Sequence, residues 1–302
     1  MKFFMTGGTG FVGSFLSEQL SRRGHEITIL TRSARPRPGA APELRFVSGD
    51  PTQPGPWMNE VPEHDVIINL AGASVFMRWT EANKKIIRDS RVLTTRNLVE
   101  ALDSAHNPRT QVLLSTSAIG YFGDRGDEEL VDDAPPGQDF LAQLAQEWEA
   151  EALKAQDAGV RVAITRFGIV LGRGGGILEK LVPLFKSFLG GPVGSGRQWF
   201  SWIDQSDQLR ALLFFLEHPN LQGAINFTAP NPVRNAEMAQ ALGQVLSRPS
   251  WVPAPAFMVK LVLGEFAQVV LGGQRVLPKK LLEAGFSFEY PTIEAALRHQ
   301  VL

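Results

Sequence analysis

The chain of 302 residues sets Lys plus Arg at 30 against Asp plus Glu at 31, a formal net charge of −1. That balance argues against an electrostatic nucleic-acid binder, which normally shows a basic excess or stripe. There is no cysteine, so disulfides, thiolate nucleophiles and cysteine metal sites are excluded together. No apolar run approaches the roughly 18 residues of a membrane span, and the amino terminus lacks a basic segment followed by a cleavable apolar stretch. The histidines at 25, 64, 106, 218 and 299 form no local ligand motif. A cytoplasmic protein with no nucleic-acid, membrane or metal partner is expected.

The chain opens on a short apolar strand, Phe3 to Met5, that runs into a glycine-rich turn, with an amphipathic helix predicted over 14–23. Gly7, Gly10 and Gly13 are spaced G-x-x-G-x-x-G. Gly7 permits a tight turn, Gly10 lets the backbone approach a pyrophosphate, and Gly13 lets helix pack closely on strand. The helix N-terminus then offers free N–H groups and a positive dipole end to phosphates. A glycine pattern alone is weak evidence, but placed between a strand and a helix it points to dinucleotide binding.

Further strands are predicted near Ile27–Leu30, Leu44–Val47, Val66–Leu70, Val112–Ser115 and Val162–Phe167, with helices over 80–104 and 140–157. Such alternation implies an α/β protein, a Rossmann-type doubly wound parallel sheet with helices on both faces. Ser33–Pro42 and Asp50–Pro56 read as loops. Beyond about residue 172 the pattern changes to glycine runs at 172–176 and 190–196, read as flexible turns around a helix carrying Leu178 to Phe185. Helices over 205–218 and 234–247 and a Pro- and Phe-rich tail follow. The expected organisation is a nucleotide-binding domain over 1–171, rejoined by about 197–230, and a smaller substrate-side lobe over 172–302.

After the second strand, Thr31, Arg32 and Ser33 stand where an acid would select NAD through the ribose hydroxyls. A guanidinium there pairs with a 2′-phosphate that Asp or Glu would repel, so NADP(H) is the expected cofactor. A solvated loop arginine is the other reading of Arg32. Asp50 is placed to meet the adenine amino group, and Asn69–Ala73, at the end of a buried strand, offers backbone at the pyrophosphate and ribose.

With these segments the chain resembles an extended short-chain dehydrogenase/reductase, the superfamily of nucleotide-sugar epimerases and dehydratases. The matches are Thr6–Gly13, Asn69–Ala73, Val92–Val99, Ser115–Gly123, Arg166–Gly172 and Trp202–Asp204, in the superfamily's order. More narrowly it is similar to the atypical branch of epimerase family proteins. The marks are Arg78–Thr80, Lys84, Asp89–Arg91, Phe140–Ala142 and Trp148-Glu149, with a tail over Gln274–Leu281 and Gly285–Phe288 that fits the branch's extra C-terminal domain, about 250–298. The resemblance makes Gly7, Gly8, Thr9, Gly10, Phe11, Val12, Gly13, Thr31, Arg32, Ser33, Asp50, Leu70, Ala71, Gly72 and Arg166 the candidate cofactor-binding set.

The superfamily's ordinary chemistry needs a tyrosine with a lysine four residues later, the lysine lowering the tyrosine pKa while the tyrosine moves a proton. Only two tyrosines exist, and the residues four places on are Arg125 and Glu294. Aligning Glu149 with the acid that usually follows the motif puts Leu141 in the tyrosine slot and Ala145 in the lysine slot. Neither moves a proton. Ser117 corresponds to the substrate-binding serine, and Arg91 replaces a relay asparagine. Lys84 and Arg91, seven residues apart, share a helix face, and a pair of cations suits an anionic or carbonyl-bearing substrate. Lys84 reads equally as a solvated helix lysine. Tyr121 is either a proton donor or a packing residue, and Trp79 either walls the pocket or belongs to the core. The acidic stretch 124–133 reads as a solvated loop over the pocket, Trp199 and Trp202 as ring-stacking or interface residues, and Asp204 and Asp207 as caps of the next helix.

The candidate catalytic residues are therefore Ser117, Arg91, Tyr121 and Lys84. The expected function is NADP(H)-dependent oxidoreduction of a small carbonyl or sugar-like substrate without the usual relay. The alternatives are a catalytically silent nucleotide-binding regulator or scaffold, one related to cell or plastid division for instance, and a sugar epimerase, for which the usual base is absent. A homodimer is a further expectation.

Overall fold

The computed structural model describes residues 1–32, 44–105 and 108–302. The loop expected over 33–42, Ser33 among its residues, lies outside them. In chain order the nucleotide-binding half comprises β1 (Lys2–Thr6), α1 (Phe11–Ser21), β2 (Glu26–Thr31), β3 (Leu44–Ser48), β4 (Val66–Asn69), α2 (Glu81–Asp103), β5 (Val112–Ala118), β6 (Glu129–Leu130), α3 (Phe140–Leu153) and β7 (Arg161–Phe167). It continues through β8 (Ile169–Leu171), α4 (Gly176–Lys186), β9 (Trp199–Phe200), β10 (Trp202–Asp204), α5 (Gln205–Glu217), β11 (Gly223–Phe227), β12 (Val233–Arg234) and α6 (Asn235–Leu246). The tail holds α7 (Ala256–Leu263), α8 (Ala267–Leu271), β13 (Arg275–Val276), α9 (Lys279–Glu283) and α10 (Ile293–Val301).

Seven strands form one sheet in the order β11-β7-β5-β4-β1-β2-β3, every neighbouring pair parallel. The strand order reverses between β1 and β4, so their C-terminal ends open the crevice in which such sheets bind ligands. The central strands β1 and β4 are apolar runs because both faces are covered, whereas the edge strand β3 has no buried residue. Phe3 and Met5 face the core shared with Leu16 and Leu20 of α1 and Leu212 of α5. Phe4 between them points the other way, to Leu98 and Leu102 of α2. That alternation is the strand's period of two, and each fully buried Phe contributes about 1.5–3 kcal/mol.

A second core holds Trp202, Phe185, Leu242, Ile293 and Leu297 between α4, α6 and α10. The parallel pair β8–β10 lies between it and the sheet's core, with Ile203 on one side and Trp202 on the other, and buried carboxylates add further ties to the tail. Asp132, 2% exposed, accepts hydrogen bonds from the backbone N–H of Asn226 at 2.6 Å and of Lys280 at 3.0 Å. The acidic stretch is thus not wholly a solvated loop, since β6 within it pairs with β13 of the tail. Asp204 does cap α5, accepting from Ser206 N at 2.7 Å. Asp207, fully buried, instead accepts from the backbone N–H of Glu289 at 2.9 Å and Tyr290 at 2.8 Å. Trp202 is core, donating its indole N–H to Asn231 O at 3.3 Å.

Several boundaries depart from expectation. α1 begins at Phe11, not at 14, so Phe11 and Val12 form its first turn. α3 ends at Leu153 and passes into a 3-10 segment, Lys154–Ala158. The Pro- and Phe-rich tail contains four helices. The glycine run 172–176 is packed rather than free: Cβ atoms on Gly172, Gly175 and Gly176 would stand 2.8, 2.3 and 2.8 Å from the Phe11 ring. No helix among the described residues is long and apolar enough to cross a membrane.

Candidate functional site

The glycine turn is built by exclusion. Gly7 has φ +68°, a region costly for residues with a Cβ, and a Cβ there would stand 2.7 Å from the Leu70 carbonyl. A Cβ on Gly13 would lie 2.3 Å from Gly7 O, so only glycine lets α1 dock on the turn. Gly10 would meet only Gly7 O, at 3.3 Å, and otherwise faces open ground. It is also the N-cap of α1, and no side chain caps this helix. By contrast Thr80, Asp139 and Thr292 cap α2, α3 and α10 through their side-chain oxygens. The first N–H groups of α1 are thus left for a ligand, and with the dipole they suit a pyrophosphate.

Beside the turn, Thr6 Oγ1 donates to Asn69 Oδ1 at 2.7 Å and accepts from Ala71 N at 3.2 Å. Asn69 Nδ2 donates to Thr95 Oγ1 at 2.8 Å, as does the Trp148 indole N–H at 2.8 Å. This chain ties the ends of β1 and β4 to α2 and α3. Sequence reasoning missed Thr95, whose only signal is its place one turn beyond Arg91 on the helix. At the crevice's other end Arg32 is exposed just past β2. Asp50 Oδ1 accepts from Thr52 N at 2.9 Å and Thr52 Oγ1 at 2.7 Å, shaping the turn after β3.

Arg91 reaches the same place from α2. Its Nη1 donates to Ala73 O at 3.0 Å and Ile87 O at 2.9 Å, and its guanidinium lies 5.4 Å from the Trp148 ring centroid. A Cβ on Gly72 would come within 2.9 Å of Arg91 Cζ, so Gly72 makes room for the cation. Burial lowers its pKa to about 10, which still leaves it charged at neutral pH. Among the described residues it forms no ion pair.

The other candidates are turned elsewhere. Ser117 is 1% exposed and donates to Glu149 Oε1 at 2.6 Å. Arg166, 4% exposed, grips the same carboxylate at 2.8 and 2.7 Å and donates to Asp132 O at 2.9 Å. Ser117 and Arg166 thus share one buried carboxylate, that of Glu149. The Tyr121 ring lies 3.4 Å from the Arg166 guanidinium, stacked under a cation in the manner of a packing residue. Lys84 bonds Glu265 at 2.8 Å and Glu81 at 3.5 Å, so it latches the tail to α2. Trp79 belongs to an apolar cluster with Phe140, Leu141 and Phe266, and Ala145 is buried. No proton-transfer group occupies either relay slot.

The fold and this crevice define a nucleotide-binding short-chain dehydrogenase/reductase. The chain belongs to the NAD dependent epimerase/dehydratase family, whose model matches residues 3–227, and residues 254–300 match a domain of unknown function, DUF1731. It is 44% identical over 99% of its length to the Epimerase family protein SDR39U1 homolog, chloroplastic, of Arabidopsis thaliana, covering 86% of that protein. It is 37% identical over its whole length to Epimerase family protein SDR39U1 of Mus musculus, covering all of that protein. The crystal structure of human epimerase family protein SDR39U1 with NADPH superposes with a TM-score of 0.87 at 33% identity, over 99% of this chain and 98% of that one.

Proposed function

We propose that this protein is an NADP(H)-dependent oxidoreductase of a small carbonyl or sugar-like compound, working without a tyrosine–lysine relay. The observation that carries the reading is Arg91, a charged guanidinium held beside Gly72 at the strand reversal with no carboxylate paired to it among the described residues. The crevice residues fit the cofactor: the uncapped N-terminus of α1 and the open side of Gly10 suit its pyrophosphate, and the exposed Arg32 suits a 2′-phosphate. A family member of like sequence has been crystallised with NADPH. When bound, NADPH supplies a hydride.

The chain's own residues then have two tasks. Gly7–Gly13 and α1 orient the dinucleotide across the strand ends. Arg91 polarises the substrate's carbonyl oxygen and stabilises the negative charge that develops there. Leu141 and Ala145 transfer no proton, and the Ser117 hydroxyl is committed to Glu149, so the final proton comes from solvent.

The test is NADPH oxidation followed at 340 nm over a panel of aldehydes, ketones and keto sugars. Turnover supports the reading, and Arg91→Met is expected to lower kcat/KM by about 100-fold, the loss typical of one oxyanion donor. Tight NADPH binding with no turnover across the panel favours a silent nucleotide-binding regulator instead. For the cofactor, Arg32→Asp is expected to weaken NADPH binding at least about tenfold more than NADH binding. An equal effect on both overturns that assignment.

A further inference from the structure

The carboxylates of α2 and α3 near Arg91 are already spoken for. Glu81 pairs with Lys84, Asp89 with Lys85 and Arg88, Glu147 with Arg88, Glu149 with Arg166, and Glu151 with Arg96 and Lys154. Arg88 and Arg96, a turn to either side of Arg91 on the same helix, both carry salt bridges. Arg91 does not. A half-buried cation is costly without a counter-charge, and the described residues supply none to Arg91.

The unused part of the guanidinium has a definite shape. Nη1 is occupied by Ala73 O and Ile87 O. Nε and Nη2 donate to no described group. They form one edge of the fork, two parallel N–H groups at the spacing of two oxygens on a carboxylate or phosphate. Gly72 keeps that edge where it is, since a Cβ there would stand 3.1 Å from Nη2 and 3.2 Å from Nε. The Trp148 ring, itself held by Thr95, braces the guanidinium's position.

We infer that Arg91 is an oxyanion receptor, its Nε–Nη2 edge taking two oxygens of a carboxylate or a phosphate at the floor of the crevice. Two ligands carry that chemistry: a substrate that bears a carboxylate beside its carbonyl, as the proposed function has it, and the pyrophosphate of the dinucleotide, which would take Arg91 away from the substrate's carbonyl. The inference rests on the dinucleotide crevice of the proposed function, but not on turnover.

The experiment measures binding alone. NADPH and NADH are titrated by nucleotide fluorescence into wild type, Arg91→Met and Arg91→Lys, and oxalate is titrated into each protein loaded with NADP+. If the pyrophosphate is the ligand, Arg91→Met weakens NADPH and NADH equally, by about 10- to 100-fold. If a substrate carboxylate is the ligand, both nucleotides bind as before, while oxalate binds wild type and is lost in Arg91→Met. In either case Arg91→Lys restores only part of the affinity, because an ammonium has the charge but not the fork. Should Arg91→Met unfold, Gly72→Ala gives the same comparison with the charge retained and the guanidinium displaced. Unchanged nucleotide affinity together with no Arg91-dependent oxalate binding overturns the inference. A protein that binds by these rules yet turns nothing over refutes the proposed oxidoreductase and leaves the receptor standing.

Discussion

Gly13 shows how little space separates a nucleotide loop from a closed turn. A methyl group there would sit 2.3 Å from Gly7 O, so Gly13→Ala must push α1 off the turn. We expect a loss of about 1–3 kcal/mol from overpacking and of measurable dinucleotide binding, read by chemical denaturation and fluorescence titration. His64 gives a pH effect of definite sign. Its Nδ1 lies 2.7 Å from Glu60 O, which only accepts, so Nδ1 carries the proton and Nε2 accepts from Thr28 Oγ1 at 2.8 Å. Burial holds its pKa below the usual imidazole value. The unfolded chain then binds a proton that the folded one refuses, so stability is lost as pH falls through about 6.5. Melting temperatures between pH 7.5 and 5.5 should fall in wild type and vary less in His64→Gln. The glycines and Arg91 were legible in the sequence because their roles depend on near neighbours or on helical spacing. The contact that Ser117 and Arg166 share with Glu149 was not legible, because that residue lies 32 and 17 positions away and no local pattern announces it.

Helices α2 and α3 are coupled by side chains that a periodicity argument treats as surface. Arg88 reaches Glu147 and Arg96 reaches Glu151, pairs whose arginines are 43% and 42% exposed and which are worth little singly. The Arg166–Glu149 pair is different, since both side chains are less than a tenth exposed. Removing one partner strands a buried charge, so Glu149→Gln should cost about 3–5 kcal/mol. Glu149→Leu combined with Arg166→Met should cost clearly less than the sum of its single changes, and additivity in a denaturant series would count against this account. The long elements were predictable: α2 was placed within a residue at each end because its apolar stripe persists for 23 residues. The tail was not, since α8 and α9 have five residues each, too few for a stripe to declare itself.

Across the whole molecule the two cores are held in register by buried carboxylates that bind backbone. Asp207 accepts from Glu289 and Tyr290, residues 82 and 83 positions downstream. Asp207→Ala should therefore loosen the tail before the sheet, at a cost of about 1–3 kcal/mol. Hydrogen exchange would show it as protection lost first in α10 and retained in β1. α7 stands outside this framework, with no buried residue and with Phe257 and Leu261 at 70% and 79% exposed. Substituting both by Ser should leave stability within about 0.5 kcal/mol; a large loss would mean that α7 packs more closely than described.

Phe11, the first residue of α1, is gripped by the glycines at 172, 175 and 176, and its carbonyl accepts from Gln205 Nε2 at 3.4 Å. The start of the phosphate-binding helix is thereby part of the second lobe's footing. Free energy stored at such a joint is shared in both directions. Any compound that tightens the lobe around Phe11 must raise dinucleotide affinity by the same factor by which the dinucleotide raises the affinity for that compound.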